Sequence, residues 1–138
     1  MEIVFENQVP RLGRIPRAVI LRAAARAQKL FGSRVAGAAA SVVFVSAAAS
    51  RKLNREYRSK DAPTNVLSFA SLDRAEIGDI IIAPSVAREE ARQMGRTFDE
   101  HVAYLFVHGL LHFLGFAHSS PSEERRMEAA SEKILNTK

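Results

Sequence analysis

Hydrophobic and polar positions change period several times along the chain, and each change marks an element. Glu2 to Asn7 alternates in part, with Ile3 and Phe5 on one side, and predicts a first strand. Pro16 opens a helix that runs to about Phe31. Its apolar positions Val19, Ile20, Ala23, Ala24, Ala27, Leu30 and Phe31 recur at helical spacing, while Arg17, Arg22, Arg26 and Lys29 give it a basic outer side. Val35 to Ala49 is rich in Ala, Ser and Gly and falls well short of the ~20 apolar residues of a membrane span, so it reads as a loop leading into a strand. Ser41 to Val45 is a β-branched apolar run with the pattern of a strand buried on both faces, and Ala47 to Tyr57 predicts a helix leading out of it.

Arg58 to Pro63 is charged and ends in a proline that disfavours helix at Ala62, so it predicts a loop, followed by a strand at Asn65 to Phe69. Gly78 to Ala83 predicts another strand. The connection from Ala70 to Ile77 is too short for a crossover helix, which makes this pair antiparallel and the sheet mixed. Pro84 begins a helix that stops at Gly95. Thr97 and Glu100 then fit a capping box for a helix from Phe98 to Leu114 ended by Gly115, and Ser120, Pro121 and Glu123 repeat the start signal for a last helix to about Leu135. The predicted class is α+β: one domain over residues 1–138, with a small sheet, mostly parallel plus one antiparallel strand, packed by helices.

Composition narrows the chemistry. A 138-residue chain that is 47% hydrophobic can bury a core without a staple, so a metal site here is expected to be functional. Cysteine is absent, which excludes disulfides, thiolate zinc sites, iron–sulfur clusters and cysteine nucleophiles, and makes the cytoplasm the expected location. Glu2 and Glu6 interrupt any basic-then-apolar start, so no secretory leader is expected. Charge is uneven: residues 1–60 hold 12 Lys or Arg against 3 Asp or Glu, and residues 61–138 hold 8 against 12. A basic half suits a polyanionic partner, and it equally suits a solvated helix face.

The candidate chemistry is concentrated in His108-Gly-Leu-Leu-His112-Phe-Leu-Gly115-Phe-Ala-His118. Histidines four apart on a helix lie about 40° from each other around the axis, so both rings can face one point. Gly115 supplies the left-handed residue that lets the chain turn and bring His118 to the same point. A single histidine among Leu110, Leu111, Phe113 and Leu114 would read as a core residue, whereas three at this spacing read as ligands that leave an open position, the pattern of a catalytic zinc site. His101 falls on the same helix face but about 10 Å away, which suits hydrogen bonding or substrate contact rather than ligation.

The spacing matches that of zinc peptidases in which a glutamate after the first histidine is the general base. Here that residue is Gly109, which cannot take a proton. What remains is a metal that lowers the pKa of bound water to about 7, together with positive charge for the substrate, a combination suited to phosphodiester cleavage.

These residues resemble a known family. His108 to His118 resembles the H-G-x-L-H-x-x-G-[YF]-D-H motif of the YbeY-type endoribonucleases, or ribosomal RNA maturation factors. Leu53-Asn-Arg-Glu-Tyr57-Arg58, Pro63-Thr-Asn-Val-Leu-Ser-Phe69 and Gly78-Asp-Ile-Ile-Ile82 resemble that family's other blocks, in the same order. The resemblance implies one Zn2+ per chain on His108, His112 and His118, and Arg58 as the catalytic or phosphate-binding arginine. It further implies single-strand-specific cleavage of ribosomal RNA precursors, with 3′-end maturation of small-subunit 16S RNA and ribosome quality control as its setting. The implied partners are single-stranded RNA and the small ribosomal subunit with its proteins, with neither DNA nor a membrane.

Two positions depart from the family pattern. Ala117 stands where Asp precedes the third histidine, a change that predicts a metal affinity or rate lower by about 10 to 100-fold if that Asp orients a ligand. The loop from Ala70 to Ile77 is shorter than in many relatives. Thr64, Asn65 and Ser68 are expected to cap a strand or bond within a turn, and Asp79 to orient a ligand or brace the loop. The leading expectation is a cytoplasmic zinc-dependent endoribonuclease in which metal-bound water attacks the phosphodiester. The alternative is a ribosome-associated assembly factor with a mainly structural metal, and hydrolysis of a peptide or small molecule is a third, disfavoured by Gly109 and the basic half.

Overall fold

A computed structural model describes residues 1–72 and 76–136. In chain order the elements are β1 (Glu2–Asn7), α1 (Arg17–Phe31), β2 (Ala39–Phe44), α2 (Ala47–Arg58), β3 (Val66–Ala70), β4 (Glu76–Ile82), α3 (Pro84–Met94), α4 (Phe98–Phe113) and α5 (Pro121–Leu135). The strands pair in the order β1-β2-β4-β3, with β1, β2 and β4 parallel and β3 antiparallel to β4. The predicted mixed sheet is therefore present, and its one antiparallel strand lies at an edge.

The run around β2 is not buried on both faces. Ala40, Val42 and Phe44 are buried while Ser41 and Val43 are only partly so. The cause is that α1, α4 and α5 bring their apolar stripes to the same face, where Ile20, Ala24, Phe106, Leu110, Met127 and Ile134 join Val42, Phe44, Ile80 and Ile82 in one core. The other face carries Val4, which is 48% exposed. β-branched residues suit a strand whether one or two of its faces are covered, so composition alone could not distinguish the cases.

Helix α4 is central, packed against the sheet, α1, α3 and α5. Its start is the predicted capping box: Thr97 Oγ1 accepts the Glu100 N–H at 3.1 Å, and the Glu100 carboxylate accepts the Thr97 N–H at 3.0 Å. Buried residues from His101 to Leu111 run almost all round it, as expected of a helix enclosed by other elements.

Two glycines permit this packing. A Cβ at Gly109 would lie 2.9 Å from Ser68 Oγ and 3.1 Å from Ile80 Cγ2. At Gly78, whose φ is +150°, a Cβ would lie 2.3 Å from the Phe69 carbonyl oxygen and 3.0 Å from the Phe113 ring. The obstacle at Gly78 is paired main chain that cannot rotate aside. Gly78→Ala is expected to lower unfolding free energy by about 2–4 kcal/mol. Gly95→Ala, at φ +68° but in open space, should cost only about 1 kcal/mol. Chemical denaturation of both variants beside the wild type checks the order; equal midpoints would refute it.

Candidate metal centre

His108 and His112 occupy the last turns of α4, and their Nε2 atoms are 3.1 Å apart. Beyond them the helix closes with two bonds, Gly115 N–H to His112 O at 3.1 Å and Phe116 N–H to Leu111 O at 3.0 Å, around Gly115 at φ +92°. This is the Schellman pattern, and it satisfies carbonyls that would otherwise be orphaned. The reversed chain then delivers His118, whose ring centroid lies 5.7 Å from that of His108 and 5.2 Å from that of His112. One nitrogen from each of the three rings falls within 4.8 Å of the others.

The donor set fits a small divalent ion. Tetrahedral coordination with nitrogens at about 2.0–2.1 Å sets neighbouring ligand atoms roughly 3.4 Å apart, close to the His108–His112 spacing. The Phe116 carbonyl, which can only accept, takes a hydrogen bond from His112 Nδ1 at 3.2 Å. That bond fixes the tautomer and leaves the Nε2 lone pair free for a ligand. Burial, with the charges of His112 and His118 beside it, pushes His108 down to about 4, so it is neutral at pH 7, the state that ligation needs. Burial also lowers His112, helped by His118 and Arg58 and opposed by the Phe116 carbonyl.

The three histidines line a cavity of about 570 Å³ together with Tyr57, Arg58 and residues 64–69. Arg58 reaches it from the end of α2. That end is fixed in detail: Ser59 turns left-handed at φ +57°, its N–H bonds the Asn54 carbonyl, and Asn54 Nδ2 donates to Ala62 O at 2.9 Å. Asp61 accepts from Arg51 at 2.8 Å and lies 3.7 Å from Arg55. Arg58 has no ion-pair partner among the described residues.

Edge strand β3 forms another wall. The bonds Ala83 N–H to Asn65 O and Ser71 N–H to Ile77 O flank its ladder, so odd-numbered residues turn their main-chain groups to β4 and those of Val66, Ser68 and Ala70 face outward. The outward Val66 N–H is accepted by Asn65 Oδ1 at 2.7 Å.

Asn65 also donates to Glu90 at 2.9 Å, and Glu90 is 2.9 Å from His101 Nε2. His101, 2% exposed, thus serves the hydrogen-bonding role, and its burial excludes the substrate contact considered with it. Thr64 donates its N–H to Ser50 Oγ at 3.3 Å, and Ser68 Oγ bonds Gly109 O at 3.4 Å, so these residues hold the rim together. Asp79 alternates with the buried Gly78 and Ile80 and projects from the sheet face opposite α4, away from the histidines. The loop it was expected to brace includes residues 73–75, which lie outside the described residues.

Gly109 faces Ser68 and Ile80, so a glutamate in this position would strike the sheet. The missing peptidase base is therefore matched by the packing. Ala117 lies in a surface concavity with Arg34, Glu123 and Arg126, and its methyl group offers no bond to a neighbouring histidine. The basic face of α1 is elsewhere: Arg22 and Arg26 line a separate cavity together with Arg96, Glu100, Glu128 and Glu132. The edge of β3 had no sequence signal of its own, because it depends on which strand ends the sheet, and Tyr57, though it lies within the Leu53 to Arg58 block, had none that placed its ring at the cavity.

Among the described residues no helix is long and apolar enough to cross a membrane. The family model described as endoribonuclease YbeY matches residues 16–138. The endoribonuclease YbeY of Geobacillus thermodenitrificans is 44% identical over 112 residues, covering 72% of this chain and 72% of that protein. That of Rhodopseudomonas palustris is 39% identical over 127 residues, covering 86% of this chain and 74% of the relative. A Thermotoga maritima protein solved in solution shares the fold at a TM-score of 0.64 and 21% identity, over 97% of this chain and 89% of that one. Matched along most of its length by this family model and by these relatives, the chain belongs to the endoribonuclease YbeY family.

Proposed function

We propose that this protein is a zinc-dependent, single-strand-specific endoribonuclease of the cytoplasm that acts on ribosomal RNA precursors. Its setting is 3′-end maturation of 16S RNA and ribosome quality control, with the small ribosomal subunit as partner. The observation that carries the reading is the meeting in one cavity of three histidines, two of them shifted towards the neutral state, with an arginine that has no ion-pair partner among the described residues.

His108, His112 and His118 are the proposed ligands, and a zinc ion held there would activate water and polarise a phosphoryl oxygen. Arg58 presents a planar, permanently charged fork to the phosphate and stabilises the charge that develops on its oxygens. The Phe116 carbonyl keeps His112 in the tautomer that ligates. The outward main-chain groups of Ser68 and Ala70 are suited to the edges of unpaired bases, which a duplex would keep occupied.

Metal content and cleavage of single-stranded RNA, single-stranded DNA and duplex RNA test the reading. Wild type is expected to hold one zinc and to cut single-stranded RNA alone. His112→Ala should lose both metal and activity, and Arg58→Glu should keep the zinc while losing about 100-fold or more in kcat/KM. Zinc without cleavage, or cleavage that survives in both variants, would favour an assembly factor with a structural metal.

The metal-free protein should also be acid-sensitive. Folded His108 resists protonation down to about 4, whereas the unfolded residue takes a proton near its ordinary 6.5, so the unfolded state binds more protons between these values. Stability is then present above pH ~6.5 and falls as pH drops towards 4. Thermal melts of metal-free wild type at pH 7 and pH 5 should show the fall, and His108→Gln should flatten it.

A further inference from the structure

Tyr57 is unused in the chemistry above, yet it stands at the mouth of the metal-centre cavity with 65% of its surface exposed. It directly precedes Arg58 in the last turn of α2. One side of its ring is held by Phe69 of β3, with centroids 5.1 Å apart and planes at 70°. The other large apolar residues that are well exposed (Val4, Leu21, Leu30, Leu72 and Met94) are not part of this cavity.

Resting on the nuclease reading, we infer that Tyr57 is a nucleobase-stacking residue: its free ring face receives the base of the nucleotide next to the phosphate held by Arg58. An aromatic face repels an anion and attracts a flat π-system, so the base and not the phosphate is its partner. The edge-to-face contact with Phe69 sets the ring plane in advance, which lowers the entropy lost on binding. Stacking of this kind tolerates any base and typically changes affinity about 10 to 100-fold. A base already paired in a duplex is not free to move onto the ring, so Tyr57 contributes to the selection of single strands.

The test uses zinc-loaded protein and a short single-stranded RNA carrying 2-aminopurine at one position at a time, beside the same RNA made abasic at that position. Wild type should quench the fluorophore at one position flanking the cleaved bond, and the abasic change there should weaken binding about 10 to 100-fold. Tyr57→Phe should match wild type within about 2-fold, and Tyr57→Ala should raise KM by the same 10 to 100-fold with a much smaller change in kcat. On abasic RNA the wild type and Tyr57→Ala should become equal, which a merely structural role would not produce.

Wild type that cuts RNA with no abasic penalty at any position overturns the inference and leaves the nuclease reading standing. So does a Tyr57→Ala defect that persists in full on abasic RNA. If Tyr57→Ala does not fold, the abasic penalty on wild type and on Tyr57→Phe still decides. Wild type that neither binds nor cuts RNA overturns the nuclease reading, and this inference with it.

Discussion

The closeness of α4 to the sheet governs the geometry of the site. At Gly109 a Cβ would come within 2.9 Å of Ser68 Oγ and 3.1 Å of Ile80 Cγ2, side-chain atoms that would have to give way, and at Gly78 the Phe113 ring lies 3.0 Å from where a Cβ would be. These contacts bracket the segment that carries His108 and His112. A long side chain at Gly109, or any side chain at Gly78, would press on these neighbours, and the position of the histidines relative to Arg58, which belongs to a different element, depends on that fit. The glycine after the first histidine is thus a packing requirement first. Its incompatibility with a carboxylate general base follows from the same steric fact.

Elements distant in the chain are tied to this core by hydrogen bonds. The turn at Gly115 uses two main-chain bonds to reverse the chain, and the Phe116 carbonyl it delivers is the acceptor that orients His112. On the other wall, Glu90 of α3 joins Asn65 at the head of β3 to buried His101 of α4. Loss of one partner would leave a buried donor or acceptor unmatched at about 1–3 kcal/mol. The cavity is therefore bordered by bonded rims on both sides, while Tyr57 and Arg58 at its mouth are free to meet a ligand.

Much of this was legible in the sequence because it was written in local code. The Thr97–Glu100 capping box, the Gly95 and Gly115 stops and the four-residue spacing of His108 and His112 depend on residues a turn or less apart. The short connection from β3 to β4 dictated their antiparallel pairing. What could not be read depends on tertiary neighbours. The β-branched run of β2 gave no sign that one face would be only partly covered, because the same residues suit either case. His101 shares a helical face with His108 and His112, and only the position of Glu90 on α3 shows that its ring is committed elsewhere.

Charge was the least transferable signal. The arginine-rich first half of the chain invites a reading in which the substrate meets a broad basic surface, but the fold disperses that charge. Arg22 and Arg26 face Glu100, Glu128 and Glu132 across a separate cavity, and Arg51 and Arg55 are engaged by Asp61. Arg17 lies over the Phe5 ring. Among the described residues that line the metal-centre cavity, Arg58 is the only Lys or Arg. Within the cavity itself, phosphate neutralisation would then rest on a single side chain. A cleft with so little positive charge needs contacts that do not depend on it, and the aromatic face and free strand edge beside Arg58 are the contacts this fold provides.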